Sequence, residues 1–319
     1  MPCFHPLKGY RAVGGGWTQN VRRSWFATPM KVPCGQCIGC RLERSRQWAV
    51  RCYHESQLHE DNCFITLTYD NEHLPPDRSL HHRDWQLFMK KLRKRFGSNI
   101  RFLMCGEYGT WCRHCWMHPK QCKCPQTIEG PGRPHFHAIL FNHDFQEKVH
   151  WSNSNGLPLY VDAELSRLWP SGFSSVGAAT FQSAAYVARY ITKKVTGRAA
   201  TDHYTAIHPQ SGEVTTLTPE YLQASRGGRN GHGIGYEWFK EYSKDVWPDD
   251  FVVVNGKRVR PPRFYEKQLE VSDPDLLTKV KRERKLAMWA HGENQTPERL
   301  AVREKVQKAR LNKLKRTLD

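Results

Sequence analysis

Arg133-Pro134-His135-Phe136-His137-Ala138-Ile139-Leu140-Phe141 is the stretch on which the reading of this chain turns. It is rich in β-formers, and in a strand residues i and i+2 share a face. His135 and His137 therefore project together, while Phe136 and Ala138 point the other way. Neutral imidazoles presented in this way form a two-point clamp for a metal ion. The competing reading is two histidines on the wet face of a strand. A block upstream, Gly106-Glu107-Tyr108-Gly109, favours the clamp. A strand expected over 100–105 delivers Glu107 beside the imidazoles. Two imidazoles and one carboxylate suit Mg2+ or Mn2+, with positions left open for phosphate oxygens.

Downstream lies Tyr186-Val187-Ala188-Arg189-Tyr190-Ile191-Thr192-Lys193-Lys194. The spacing predicts a helix over 183–194, supported by Ala184, Ala185, Val187 and Ala188. Tyr186 and Tyr190 are four apart and so share a helix face one turn apart. A phenol, with an ordinary pKa of ~10, is a weak nucleophile at neutral pH. A divalent ion that polarises a phosphate makes such an attack feasible. Lys193, Lys194 and Arg189 can neutralise the phosphate or a leaving oxygen. The plainer alternative is two tyrosines packing a helix onto a sheet.

The rest of the chain fits a polyanionic partner. Among 319 residues, 49 are Lys or Arg and 31 Asp or Glu, a net charge of +18. Nucleic acid is the first candidate at that excess. No run approaches the ~18 apolar residues of a membrane helix, and Met1-Pro2-Cys3-Phe4-His5-Pro6 does not resemble a signal peptide. A cytosolic, reducing setting follows as an expectation. There, eleven cysteines point to metal ligands or free thiols rather than disulfides.

Those cysteines fall into two groups. Cys34, Cys37 and Cys40 repeat the C-x2-C spacing of a zinc knuckle, with Cys3 as the first choice of fourth ligand and His5 or Cys52 behind it. An iron–sulfur cluster is the other possibility. Cys112 and Cys115, then Cys122 and Cys124, fall within thirteen residues and predict a second Zn2+ site, with His114 and His118 as spare ligands. So short and polar a loop has little else to hold its shape. Trp111 and Trp116, beside Arg113 and Lys120, are candidates for stacking on unpaired bases. A structural excursion with no DNA role is the alternative.

Between these motifs, residues 1–32 read as an irregular arm. Helices are expected over 41–59, 82–96, 163–169 and 236–246, and a polar, basic helical tail from about 273. Strands are expected over 63–69 and from 172 to 179. A hairpin is expected over 251–259 with its turn at Asn255-Gly256. Residues 195–235 read as loop, with Gly227, Gly228, Gly231, Gly233 and Gly235 in a basic setting. No Gly-Lys-Ser/Thr follows them, so no ATPase is inferred.

Taken in order, Phe64-Ile65-Thr66-Leu67-Thr68-Tyr69, the Glu107 block, the His135–His137 strand and the paired tyrosines resemble the HUH endonucleases. The set is most similar to the rolling-circle replication initiators of the small single-stranded DNA phages, the microviruses and especially their gokushovirus branch. The resemblance runs from about 33 to 262. Its cysteine-rich insertion at 110–126 departs from the family, where a short turn is usual.

The resemblance implies an α+β fold: an antiparallel, ferredoxin-like sheet with flanking helices, carrying the metal-binding strand centrally. It implies that His135, His137 and Glu107 hold the catalytic ion and that Tyr186 or Tyr190 attacks DNA. Thr66 and Thr68 would lie near the DNA, with Arg133 and Arg189 as further contacts. It implies three segments: an arm with the cysteine knuckle at 1–60, the endonuclease at 61–262 and the basic tail at 263–319. The expected partners are a single-stranded DNA origin and the host's helicase and DNA polymerase, in the cytoplasm of a bacterial cell. Two other readings stay open. One is a relaxase or single-strand transposase with the same core. The other is a zinc-stabilised single-stranded DNA-binding protein without catalysis.

Overall fold

The structure, a computed structural model, describes residues 3–112, 115, 119–124, 129–154, 156–189, 194–208, 211–226 and 232–313. The chain divides into two compact units, Met1–Gln47 with Val246–Arg316, and Trp48–Asp245.

The second unit is built on a mixed-length antiparallel sheet. Its strands, in chain order, are β1 (Asn62–Tyr69), β2 (Arg101–Cys112), β3 (Glu129–Phe141), β4 (Val149–Ser154), β5 (Leu157–Val161), β6 (Gly172–Ala178) and β7 (Tyr221–Ala224). Among the described residues they lie in the order β7-β2-β3-β1-β6-β5-β4, so the His135–His137 strand is interior. Every neighbouring pair is antiparallel. The expected α+β fold is borne out, with an antiparallel sheet flanked by helices and the His135–His137 strand inside it.

Period-2 alternation divides the sheet into two faces. On one, Ile65, Leu67, Met104, Phe136, Ala138 and Leu140 pack with Trp85, Phe88, Met89 and Leu92. Those four lie on the helix His82–Phe96, which ends where Gly97 takes φ +104. On the other face, Phe64, Leu103, Cys105, Ile139 and Phe141 meet Ala49, Cys52, Ala184, Tyr186, Val187 and Ile234. The helix carrying Tyr186 spans Phe181–Arg189. Its start is fixed reciprocally: the Ser183 N–H donates to Thr180 Oγ1 at 3.1 Å and the Thr180 N–H to Ser183 Oγ at 2.7 Å.

Gly172 opens β6 at φ +147, where a Cβ would lie 2.3 Å from the Asp70 nitrogen. Only glycine fits that approach of β6 to β1.

Several elements differ from expectation. Residues 1–32 are not an irregular arm: Leu7–Ala12, Trp17–Thr18 and Ser24–Val32 form a small antiparallel sheet of their own. Strand β2 runs on past 105 to Cys112, so the cysteine insertion caps an extended hairpin, with Cys112 opposite Glu129. The 195–235 loop contains the helix Ala199–Tyr204 and three strands, of which β7 completes one edge of the sheet. Lys194 lies beyond the helix rather than within it. The hairpin Val252–Val254/Lys257–Val259 turns at Asn255-Gly256 as expected, both with positive φ. No helix among the described residues is long and apolar enough to cross a membrane.

In the first unit, Phe4, Cys37 and Leu300 make a small buried cluster together with Cys3, Cys34, Ile38 and Cys40. Leu300 belongs to the helix Pro297–Asn312. The cysteine knuckle and the basic tail therefore pack against each other.

One buried group makes stability depend on pH. His54 is 1% exposed and stacks on Trp238 with ring centroids 3.5 Å apart. Burial pushes its pKa down to about 3, whereas an unfolded histidine takes up a proton near 6.5. Between those values the unfolded chain binds the extra proton, so stability is full above ~6.5 and falls as pH drops towards 3. At pH 5.5 this linkage costs about 1.4 kcal/mol. Urea midpoints at pH 7.5 and 5.5 should drop by less in His54→Phe than in the wild type.

Candidate metal centre and tyrosine helix

The register of β1, β2 and β3 assembles the site. His137 lies opposite Thr66 on one side and Cys105 on the other; His135 lies opposite Thr68 and Glu107. Residues directly opposite project to the same face. The sheet thus gathers Thr66, Thr68, Glu107, His135 and His137 on the face that also carries the tyrosine helix.

His135 Nε2 and His137 Nε2 both approach Glu107 Oε1, at 2.7 Å and 2.9 Å. Glu107 and His137 are each 1% exposed and His135 8%. Burial pushes the Glu107 carboxyl up, but the imidazoles of His135 and His137 outweigh it and hold the group well below the usual carboxylate range. His135 Nδ1 lies 3.1 Å from the Arg133 carbonyl oxygen, which can only accept, so Nδ1 carries the proton. In a neutral ring Nε2 is then a bare lone pair aimed at a carboxylate oxygen. That arrangement is repulsive unless a proton or a metal ion sits between them. His137 Nδ1 is held by Thr66 Oγ1 at 2.9 Å. Such an outer partner fixes ring orientation at metal sites. The observed separations are close to the ~3 Å between neighbouring ligands of an octahedral Mg2+ or Mn2+. The donor set therefore fits a hard divalent ion.

Tyr186 stands beside this centre. Its ring meets the His137 ring edge-to-face at 5.2 Å and the Phe64 ring at 6.1 Å, and the residue is 5% exposed. Phe64 also stacks on the His137 ring at 5.6 Å, so the three rings form one cluster. Tyr190 and Lys193 lie outside the described residues. Arg189 is the last described residue of the Tyr186 helix, and both it and Lys194 are partly buried.

Two expected DNA contacts have local partners. Arg133 Nη1 donates to the Tyr69 carbonyl at 2.7 Å and Nη2 to Asn71 Oδ1, so this guanidinium braces the loop after β1. Thr66 positions His137, as above, and Thr68 shows only a backbone partner, its carbonyl accepting from Trp169 Nε1.

Trp111 has arginines beside it, Arg78 at 4.7 Å and Arg133 at 5.9 Å from its ring centroid, and it packs on Gly132, where a Cβ would lie 2.5 Å away. Arg78 was not legible from sequence. It follows Pro75-Pro76-Asp77 with no periodic signal, and only the fold brings it to Trp111.

Both cysteine groups close. Cys3, Cys34, Cys37 and Cys40 place their sulfurs within 4.8 Å of one another, as do Cys112, Cys115, Cys122 and Cys124. No disulfide joins any of the eleven cysteines, all of which lie among the described residues. Cys3 and Cys37 sulfurs are 3.8 Å apart, and those of Cys115 and Cys122 3.6 Å. The edge of a tetrahedron with Zn–S bonds of ~2.3 Å is ~3.8 Å. Backbone N–H groups of Phe4, Cys34, Cys37 and Cys124 point at these sulfurs, as suits thiolates. At Cys37, burial raises the thiol pKa but donors from Cys40 and Phe4 outweigh it, bringing it down to about 7. Of the spare ligands, His5 pairs instead with Glu304 at 2.8 Å, and Cys52 is buried under the sheet. Arg113, His114, Trp116, His118 and residues 227–231 lie outside the described residues.

Comparison with known proteins bears directly on this site. Residues 62–195, which hold the triad and both tyrosines, match the family described as replication-associated protein ORF2/G2P. The replication-associated protein VP4 of Bdellovibrio phage phiMH2K is 31% identical over 86% of this chain and 79% of its own length. The chain belongs to the phage replication-associated protein family. A second member, the ORF2 protein of Spiroplasma virus 4, is 31% identical over 75% of this chain and 68% of its own. The ORF4 protein of Chlamydia phage 1 is 28% identical over 80% of this chain and 55% of its own. The resemblance to microvirus replication initiators is thus borne out. No solved structure matches the chain.

The triad predicts its own titration. Mn2+ binding, followed by calorimetry, should be abolished in Glu107→Gln and weakened about tenfold in Thr66→Val, which frees His137 Nδ1. Binding should also weaken as pH falls, because protons compete with the ion for the imidazole lone pairs.

Proposed function

We propose that this chain is a site- and strand-specific endonuclease and DNA strand transferase that starts rolling-circle replication. The observation that carries the reading is the convergence of His135 and His137 on Glu107, with the Tyr186 ring against His137. Membership of a phage replication family supports it.

In this reading His135, His137 and Glu107 hold Mg2+ or Mn2+. When bound, the ion polarises one phosphate of the origin strand and stabilises charge as the phosphate is attacked. A tyrosine oxygen, from Tyr186 or Tyr190, attacks the phosphorus and gives up its proton. The bond to the 3′ oxygen breaks, leaving a 5′-phosphotyrosine and a 3′ hydroxyl. Arg189, Lys193 and Lys194 balance the charge on the phosphate and the departing oxygen. The 3′ hydroxyl primes a host polymerase behind a host helicase. After one round the second tyrosine cuts the regenerated origin, and the freed 3′ hydroxyl attacks the first phosphotyrosine, closing a circle. The phosphotyrosine conserves the bond energy, so joining requires no ATP.

Thr66, Thr68 and Arg133 border the DNA path. The two four-cysteine groups bind structural Zn2+. One pins the N-terminal segment to the helix Pro297–Asn312, and the other closes the tip of the β2–β3 hairpin.

The chemistry is read on a denaturing gel with single-stranded oligonucleotides tiled across the genome that encodes this chain. Wild type should cut one of them only with Mn2+ or Mg2+ and leave a covalent protein–DNA band. His137→Ala and the double variant Tyr186→Phe/Tyr190→Phe should yield neither product. Tight binding without a cut across the whole set, in either metal, sinks the reading in favour of a non-catalytic binding protein.

The zinc assignment has a separate test. Protein purified without chelator should release two equivalents of Zn2+ to a thiol reagent. Cys37→Ser should release one, with faster amide exchange in Pro297–Asn312, while Cys122→Ser should also release one but leave that helix protected.

A further inference from the structure

We propose that the exposed ring pair Trp151–Phe173 is a stacking platform for unpaired bases of single-stranded DNA, set on the same sheet face as the triad. The inference rests on the strand-cutting reading above and names where the strand flanking the cut is held.

The register places the platform. Phe173 lies opposite Thr68, Thr68 opposite His135, and His135 opposite Glu107. Opposite residues share a face, so these four side chains form one row across β6, β1, β3 and β2. Strands lie ~4.8 Å apart, which puts Phe173 only ~10 Å from His135 along the row. The Trp151 ring meets the Phe173 ring at 5.6 Å with planes tilted by 47°.

Exposure sets this pair apart from the other aromatics of the sheet. Trp151 is 60% and Phe173 45% exposed, whereas Phe64, Tyr69, Phe102, Phe136 and Phe141 are all below 10%. Two touching aromatic rings left open to water mark a place where something binds. Three observations point to DNA bases as that occupant. The row ends at the triad, so a strand that runs along the row from a phosphate at Glu107 and His135 passes Thr68 and Phe173 on one side. Between the rings and the triad the row carries a hydroxyl rather than an aliphatic group. The chain's charge of +18 draws a polyanion to it. Aromatic rings take the π-face of any base, so such a platform holds an unpaired strand without reading its sequence.

The other conceivable occupant is a second copy of this chain. β4 is an edge strand, it also exposes Val149, and edges invite pairing.

The test measures binding and cutting on the same oligonucleotides. Fluorescence anisotropy compares wild type, Trp151→Ala, Phe173→Ala, the double variant and the conservative Trp151→Phe. The probes are intact single strands and strands with one abasic site stepped along the sequence. Each alanine should weaken binding roughly tenfold, and Trp151→Phe should retain most of the affinity. An abasic site within a few nucleotides of the cut should weaken the wild type to a similar extent and cost the double variant nothing further. Far-UV circular dichroism melts should be unchanged, because both rings are exposed.

Full affinity in the double variant, or equal abasic penalties in wild type and double variant, overturns the platform. So does wild type that binds no single strand. A dimer that dissociates in Trp151→Ala with DNA affinity unchanged reassigns the rings to a contact between copies. Wild type that binds with the expected abasic pattern, yet cuts nothing in either metal, keeps the platform and removes the strand-cutting reading instead.

Discussion

A buried carboxylate shared by two imidazoles is the constraint around which the larger unit is arranged. Glu107 carries its charge at 1% exposure, and an isolated charge there would be prohibitive. His135 and His137 compensate it only because β2 and β3 pair in one register. A slip of β2 by one residue would turn Glu107 into the apolar face beside Phe136 and leave both imidazoles without their carboxylate. The opposite face prevents that slip: Met104, Phe136, Ala138 and Leu140 are sealed under the helix His82–Phe96. The hydrophobic pattern of one face thus fixes the chemistry of the other.

This coupling explains what was legible in the sequence. The His135–His137 strand, the strand through Thr66 and Thr68, and the helix His82–Phe96 each carry a long, clean period, and each lies where its residues predict. The cysteine groups were legible because C-x2-C spacing is local geometry, and Cys3 completed its set across a short arm. The elements that were missed have the opposite character. Trp17–Thr18 is two residues long, and β7 has four, with no alternation that marks a core face. Both exist because a neighbouring strand offers an edge, which is a tertiary fact. Arg133 was legible as a cation but not as a brace, since its acceptors sit more than sixty residues away at Tyr69 and Asn71. The row linking Phe173 to Glu107 spans four strands and has no signature in any one of them.

The two cysteine groups occur where the hydrophobic effect has least to work with. The β2–β3 hairpin continues past the covered part of the sheet, and Cys112 opposite Glu129 is its outermost described pair. The knuckle in the smaller unit sits in a buried cluster whose non-cysteine members, among the described residues, are Phe4, Leu300 and Ile38. Clusters of that size hold few kilocalories, and each four-sulfur group is arranged to hold a metal ion where burial supplies least. His5 and Glu304 add an ion pair there, but His5 is largely exposed and the pair contributes little.

If Tyr186 is a nucleophile, as proposed above, its burial bears on whether the phosphotyrosine is rejoined or hydrolysed. A phosphotyrosine that waits for a full round of synthesis must be reached by a 3′ hydroxyl before water hydrolyses it. A phenol in open solvent would give water the advantage, since water is present at far higher concentration than any DNA end. Tyr186 is 5% exposed, with Phe64 and His137 against its ring. Apolar neighbours on a nucleophile's flank exclude solvent from the bond it forms, while a DNA strand held along the same face brings its own hydroxyl at high effective concentration. In the strand-transfer reading proposed above, the packing that makes the helix Phe181–Arg189 look like ordinary core would therefore also favour rejoining over hydrolysis.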